Sequence, residues 1–199
     1  SAASDVYKRQ EDDGTASVIL AWLLEPATNP FAGLLGHILS RYLVGTQSSP
    51  LRRALIDSGL GEDLDDMTGF EGELAQTFFA VGLRKTKPEQ VTAIRRLVTT
   101  TLEREIASGM NADLLEGAIR RIEFRLREIT DSGHYPYNLM LADRCYRSWI
   151  YGGDPLAHLR FAEPLQRIKA EKAKGTDFFT NQLRTMFLEN PHHLISVAV

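Results

Sequence analysis

Cysteine is nearly missing from this sequence. Cys145 is the one thiol in 199 residues, which excludes an internal disulfide and a zinc site built from several cysteines. An excess of basic charge is missing too: 23 Lys and Arg stand against 26 Asp and Glu, a net charge of −3, so no basic footprint points to nucleic acid. No apolar run approaches the ~18 residues that a membrane-spanning helix needs. Residues Ser1 to Gly14 hold only Val6 and Tyr7 as sizeable apolar side chains, with no hydrophobic region or small-residue cleavage site, so they are not a secretory signal. Low-complexity stretches and internal repeats are absent as well. What is present is ordinary for a globular protein: 43% hydrophobic and 25% charged residues, in a chain long enough to bury roughly 70% of its unfolded surface. The expectation is a soluble chain of the cytoplasm or an organelle matrix. The string SAASDVYKRQ reads as a translated adaptor remnant or a polar tail; residues 1–14 are set aside as a disordered leader, leaving 15–199 as one domain.

The pattern along that domain predicts an α+β fold, with a mostly antiparallel sheet and helices packed on it. ASVILAWLL, from Ala16 to Leu24, is β-branched and apolar and reads as a buried strand ended by Glu25-Pro26. Asn29 caps a helix with Pro30 in its first turn, and Phe31, Leu34, Leu35, Ile38, Leu39 and Tyr42 share one face. Gly45 stops it, and Ser49-Pro50 restarts a short helix through Ile56. Gly69 and Gly72 interrupt an alternating stretch that predicts two antiparallel strands, Leu64 to Glu71 and Leu74 to Leu83. Pro88 opens a helix with Val91, Ile94, Val98, Leu102 and Ile106 inward, ended by Gly109. Asn111 caps the next, which runs to about Thr130 with Leu114, Leu115, Ala118, Ile122, Leu126 and Ile129 inward. A loop over Ser132 to Asn138, a helix over Leu139 to Tyr151 and a lysine-rich helix over Glu163 to Lys174 follow. Thr176 caps the last helix, with Phe178, Phe179, Leu183, Met186 and Phe187 inward, and His193 to Val199 forms a final strand.

Candidate chemistry is sparse. A helical zinc site needs two ligands one turn apart, and no pair among His37, His134, His158, His192 and His193 has that spacing. His192 and His193 are adjacent, so on a strand they face opposite sides. No GxSxG nucleophile turn and no GxxxxGK[ST] phosphate loop occurs, and the glycines at 69 and 72 lack a dinucleotide-binding context. Cys145, between Arg144 and Tyr146, reads as a packing residue rather than an activated thiol. Asp63, Asp65 and Asp66 lack the offsets of a calcium loop and read as a solvated strand entry. Arg120, Arg121, Arg125 and Arg127 interleave with Glu116, Glu123 and Glu128, the pattern of a salt-bridged solvent face. Trp149 and Tyr151 either line a pocket or belong to the core. No catalytic, cofactor-binding or metal residue is assigned.

Seven stretches in order carry a resemblance: WLLEP, SSPLRRALIDSGLG, FFAVGLR, EFRLRE, YPYNLML, SWIYGGDPLAHLRF and FLENPHHL. Together they resemble the non-catalytic second domain of the inverzincin metallopeptidases related to pitrilysin and insulin-degrading enzyme, in the presequence-protease branch of peptidase family M16. The resemblance covers roughly Ala16 to Val199. It implies a parent built as a clamshell of four similar α+β domains around a chamber for unfolded peptides. In such a parent the first domain holds zinc through an HxxEH motif and a distal glutamate; none of those residues is in this chain, so no cofactor is expected here and zinc is expected in the missing domain. A distal arginine and tyrosine belong to the family's fourth domain, and Arg127 and Tyr135 do not inherit that role. YPYNL departs from the family pattern by placing Asn138 where glycine is usual, which a left-handed asparagine would accommodate. The partners implied are the other domains of the parent and its unfolded peptide substrates, with neither nucleic acid nor membrane. The abrupt ends are read as those of a fragment that is inactive alone. The alternative is a non-peptidase interaction module, of the kind that serves as a processing-complex core subunit; an unrelated small enzyme with a pocket at Trp149 and Tyr151 is a third reading.

Overall fold

The apolar run at the start of the domain becomes β1 (Ala16–Pro26), the strand on which the sheet is built. The computed structural model describes residues 15–128 and 136–198. Along β1, Ala16, Val18, Leu20 and Trp22 are buried, whereas Ser17, Ile19 and Ala21 are half-buried and Leu23 is exposed. That period of two marks a strand covered on one face. The expectation of a fully buried strand is corrected here: β1 is apolar on both faces, but helices cover one of them.

The central partner is β4 (Gln76–Thr86), antiparallel to β1 with Val18, Leu20 and Trp22 opposite Leu83, Val81 and Phe79. Two short strands, β2 (Asp63–Leu64) and β3 (Gly69–Glu71), pair with β4 on its other side. The expected continuous strand from Leu64 to Glu71 is therefore broken in the middle. Asp65 is the cause: its carboxylate accepts the Met67 N–H at 2.9 Å and its carbonyl accepts the Thr68 N–H at 2.9 Å, closing a turn that competes with the ladder. The second strand runs longer than expected, to Thr86. The last strand, β5 (His193–Ala198), adds antiparallel to the free side of β1, giving the order β2-β4-β1-β5.

Helices fill the other layer. Asn29 caps α1 (Pro30–Val44) by accepting the Ala32 N–H at 3.1 Å, and Asn111 caps α4 (Ala112–Arg127) through the N–H groups of Asp113 and Leu114. Between them lie α2 (Pro50–Asp57) and α3 (Val91–Ser108), the latter entered by a single 3₁₀ turn at Pro88–Gln90 and ended at Gly109, whose φ of 75° only glycine adopts freely. Helix α4 ends at Arg127, short of Thr130; Ile129 and Thr130 lie outside the described residues. Helix α5 (Tyr137–Trp149) starts earlier than predicted, because the Pro136 carbonyl accepts the N–H groups of Leu139 and Met140. Asn138 is thus helical, and the left-handed conformation expected of it is corrected. The rest of the predicted loop, 132–135, lies outside the described residues. Helices α6 (Ala162–Ala173) and α7 (Asp177–Leu183) complete the layer, and α7 passes into a π-helical turn at Arg184–Leu188. Thr176 makes no side-chain cap; its carbonyl takes the Thr180 N–H instead.

The core lies between the layers. Phe187 meets Trp22 and Phe79 edge to face, and the Trp22 indole N–H donates to the Phe187 carbonyl at 3.0 Å, tying the π turn to the sheet. Ile38, Leu39 and Leu43 of α1, Ile94, Val98 and Leu102 of α3, and Leu115, Ile119 and Ile122 of α4 pack in the same cluster. Each such side chain contributes about 1.5–3 kcal/mol on burial.

Candidate functional site

The residues singled out in the sequence scatter across the fold. His37 sits on α1 and His158 between α5 and α6, where its Nε2–H donates to the Ala27 carbonyl at 2.7 Å. His192 precedes β5 and His193 opens it, the His193 Nδ1–H donating to the Asn190 carbonyl at 3.0 Å. His134 and Tyr135 lie outside the described residues. Among the described residues, no group of three or more His, Cys, Asp or Glu side chains could hold a metal ion. A zinc ion held by two histidines and a carboxylate does not fit this arrangement.

Other candidates resolve into local structure. Cys145 is half-buried on α5. Asp63 and Asp66 both face the Arg84 guanidinium, at 3.4 and 3.6 Å, as the entry to the sheet rather than a calcium loop. Arg120 and Arg127 bond Glu116 and Glu123 one turn away, at 2.8 and 3.0 Å, as the charge pattern predicts. Lys172 and Lys169 of α6 reach the same two carboxylates, contacts across elements that no local spacing announces, so that Glu116 and Glu123 clasp α4 to α6. These contacts hold both carboxyl groups below the usual carboxylate range, the lysine hydrogen bond being the larger cause in each.

Trp149 and Tyr151 do not belong to the core, and that alternative is corrected. Trp149 is 58% exposed and stacks flat on Tyr146, with ring centroids 6.0 Å apart, and Ile150, next in the chain, is exposed too. Tyr151 donates its hydroxyl hydrogen to the Glu73 carbonyl at 2.9 Å. The helical spacing that usually buries such residues here turns them outward.

Among the described residues, the face of the sheet away from the helices carries an exposed apolar surface. Ile19, Ala21 and Leu23 of β1, Phe78 of β4 and Leu194 of β5 line it, joined by Met67. Leu23 and Leu194 are 49% and 56% exposed. This apolar face is bounded by the polar His192 and Ser196. Positions 19, 21 and 23 are apolar like 18, 20 and 22, so the sequence alone does not tell which face is covered.

Comparison with known proteins agrees with this geometry. The family described as "Peptidase M16 inactive domain" matches residues 2–122. Presequence protease 1 of Arabidopsis thaliana, chloroplastic and mitochondrial, is 34% identical over 86% of this chain and 16% of its own length. The mitochondrial presequence protease of Mus musculus is 29% identical over 89% of this chain and 17% of its own length. The chain thus spans about one-sixth of the curated relatives it matches. Among solved structures, the inactive peptidase domain of a candidate zinc protease from Bordetella parapertussis superposes with a TM-score of 0.69 at 16% identity, covering 94% of this chain and 93% of that one. The M16 inactive domain from Pseudomonas fluorescens gives a TM-score of 0.53 at 16% identity, over 92% of this chain and 40% of that one. At such identities, these likenesses speak for the fold.

Proposed function

The chain belongs to the peptidase M16 inactive-domain family, and from that premise we propose that it is the structural second domain of a zinc-dependent oligopeptidase of the presequence-protease kind. In this reading residues 15–199 form one domain that walls the peptide chamber and positions the zinc-bearing domain. It contributes no catalytic or metal-binding residue of its own. Zinc sits in another domain of the parent, the substrates are unfolded peptides, and the setting is an organelle matrix or the cytoplasm. No helix among the described residues is long and apolar enough to cross a membrane.

The observation that carries the reading is the one-sided sheet. An isolated domain has no use for Ile19, Leu23, Phe78 and Leu194 facing water, whereas a domain in a larger enzyme covers them with its neighbours. The test is made in the full-length parent. Leu23→Glu combined with Leu194→Glu should lower hydrolysis of an unfolded peptide, because the neighbouring domain loses its seat; wild-type turnover by that variant overturns the reading. The purified 199-residue chain should hydrolyse no peptide and bind no stoichiometric zinc. One equivalent of zinc, lost on replacing His192 and His193 by alanine, would contradict it.

A further inference from the structure

A cleft of about 480 Å³ opens where the end of β1, the first turns of α1 and the π turn after α7 converge. That size falls within the ~300–1,000 Å³ typical of small-ligand clefts. Its walls include the apolar side chains of Leu24, Leu35, Phe70 and Met186. The frame around them is pinned. The Asn190 Nδ2–H group donates to the Leu23 carbonyl at 2.8 Å and to the Met186 carbonyl at 3.1 Å, and its Oδ1 accepts the His192 N–H at 2.8 Å. One side chain thereby ties β1, the π turn and the approach to β5. The Thr77 hydroxyl donates to the Glu25 carbonyl at 2.6 Å, and the Glu189 N–H closes the π turn on the Arg184 carbonyl at 2.9 Å. Both glutamates therefore stand on fixed backbone with exposed side chains. The Leu23 N–H donates to the His192 carbonyl at 2.9 Å, so the chain leading into β5 runs antiparallel past the end of β1 and brings Glu25 and Glu189 to the same end of the cleft. No Lys or Arg is among the described residues that line it.

We propose that this cleft seats an arginine side chain of another polypeptide segment, its aliphatic stem against the apolar walls and its guanidinium donating to the carboxylates of Glu25 and Glu189. Two features select that chemistry together. Apolar walls below an anionic rim match a side chain that buries a hydrocarbon stem and keeps a positive head in water. A rim with two carboxylates favours the guanidinium over an ammonium, because its planar fork of five donors can serve both acceptors at once, whereas lysine offers a compact point charge. A bare divalent cation fits less well: calcium asks for six to eight oxygen ligands, and the walls beside the two carboxylates are largely hydrocarbon. The Asn190 bonds hold the two sides of the cleft in place before any ligand arrives, so little ordering of the backbone is left to oppose binding.

Titration of the ¹⁵N-labelled 199-residue chain, followed by amide chemical shifts, tests the assignment without any readout of peptidase activity. Nα-acetyl-arginine amide, whose one charge is the guanidinium, should bind saturably and shift the amides of Glu25, Gln182, Thr185 and Glu189 most. Nα-acetyl-citrulline amide, with the same stem and no charge, should bind about tenfold more weakly or worse. The guanidinium ion alone, which has the head and no stem, should also be weaker, and Nα-acetyl-lysine amide should fall below the arginine compound. Glu25→Gln and Glu189→Gln should each lower affinity for the arginine amide about threefold, and the double variant about tenfold. Both side chains are exposed, so the double variant should keep the wild-type melting temperature. Equal binding of arginine and citrulline amides, a preference for lysine or for bare guanidinium, full affinity in the double variant, or no saturable binding would each overturn the proposal.

Discussion

One buried side chain on α1 ties three helices together through a single atom. Tyr42 is fully buried; its hydroxyl donates to Glu105 of α3 at 2.5 Å and accepts the Asn111 N–H at 2.9 Å, so one oxygen links three helices at the cap of α4. Burial, and after it the Glu105 hydrogen bond, push the phenol well above its ordinary range and keep the proton on the donor. Tyr42→Phe removes the partner of a part-buried backbone N–H and of the Glu105 carboxylate, and should lower unfolding free energy in urea by about 0.5–1.5 kcal/mol; an unchanged midpoint would show that water replaces the hydroxyl. His37, one helical turn earlier, is held down to about 4 from the usual 6.5, by burial first and then by Arg147, Arg125 and His158. Its folded value lies below its unfolded one, so the unfolded chain binds more protons between pH 4 and 6.5 and stability rises with pH across that window. The contribution is complete above about pH 6.5 and is lost as pH falls toward 4, by up to about 3 kcal/mol. Melting temperatures should therefore drop between pH 7 and 4.5, and His37→Gln should flatten the drop. A residual slope belongs to His158, which is lowered in the same direction.

At the scale of elements, strand β4 rests on a glycine. A Cβ at Gly82 would run into the Val18 carbonyl oxygen and lie 2.8 Å from the Ile19 Cα, both backbone atoms of β1 that cannot swing aside. The close approach falls at the irregular end of the β1–β4 ladder, where the register shifts between Ala16 and Val18. Gly82→Ala should destabilise by about 2 kcal/mol or more and lower the urea midpoint; a near-neutral effect would mean that the shifted ladder yields. Nothing in the sequence marks this glycine out from Gly69 or Gly72, because the constraint comes from a strand sixty residues away. The helices were far more legible. Asn29-Pro30, Asn111 and Gly109 are local signals, and each stands where a cap or stop is found. The strand from Leu64 to Glu71 was misjudged because the Asp65 side chain outcompetes the ladder. The starts of α5 and of the π turn depend on Pro136 and on the docking of Phe187 against Trp22. Propensity alone does not register those contacts.

For the whole molecule, the layered α+β plan and the M16 kinship could be read from the order of motifs, but the surfaces that matter could not. Alternation in β1 is hidden because both faces are apolar, and only the burial of Val18, Leu20 and Trp22 in the helix-covered core reveals that Leu23 faces outward. In the same way, the Tyr146–Trp149 stack obeys helical spacing yet lies exposed, and the cavity lined by His37, Arg144 and His158 gathers residues more than a hundred positions apart. Exposed apolar surface of this extent has a solution consequence for the chain on its own. It should bind a hydrophobic fluorescent dye and associate with rising concentration, since burial returns about 25 cal/mol per Å² of apolar area removed from water. Leu23→Glu with Leu194→Glu should abolish most of the dye signal and the association. Both side chains are exposed, so the melting temperature should hold, as exposed substitutions usually change stability by about 0.5 kcal/mol or less. Trp149→Ser serves as the comparison: if it removes as much signal as the pair on the sheet, the sticky surface is the α5 stack, and the neighbouring domain docks there instead. A chain that stays monomeric and dark in the dye before any substitution would show that the open sheet is not a seat for another domain.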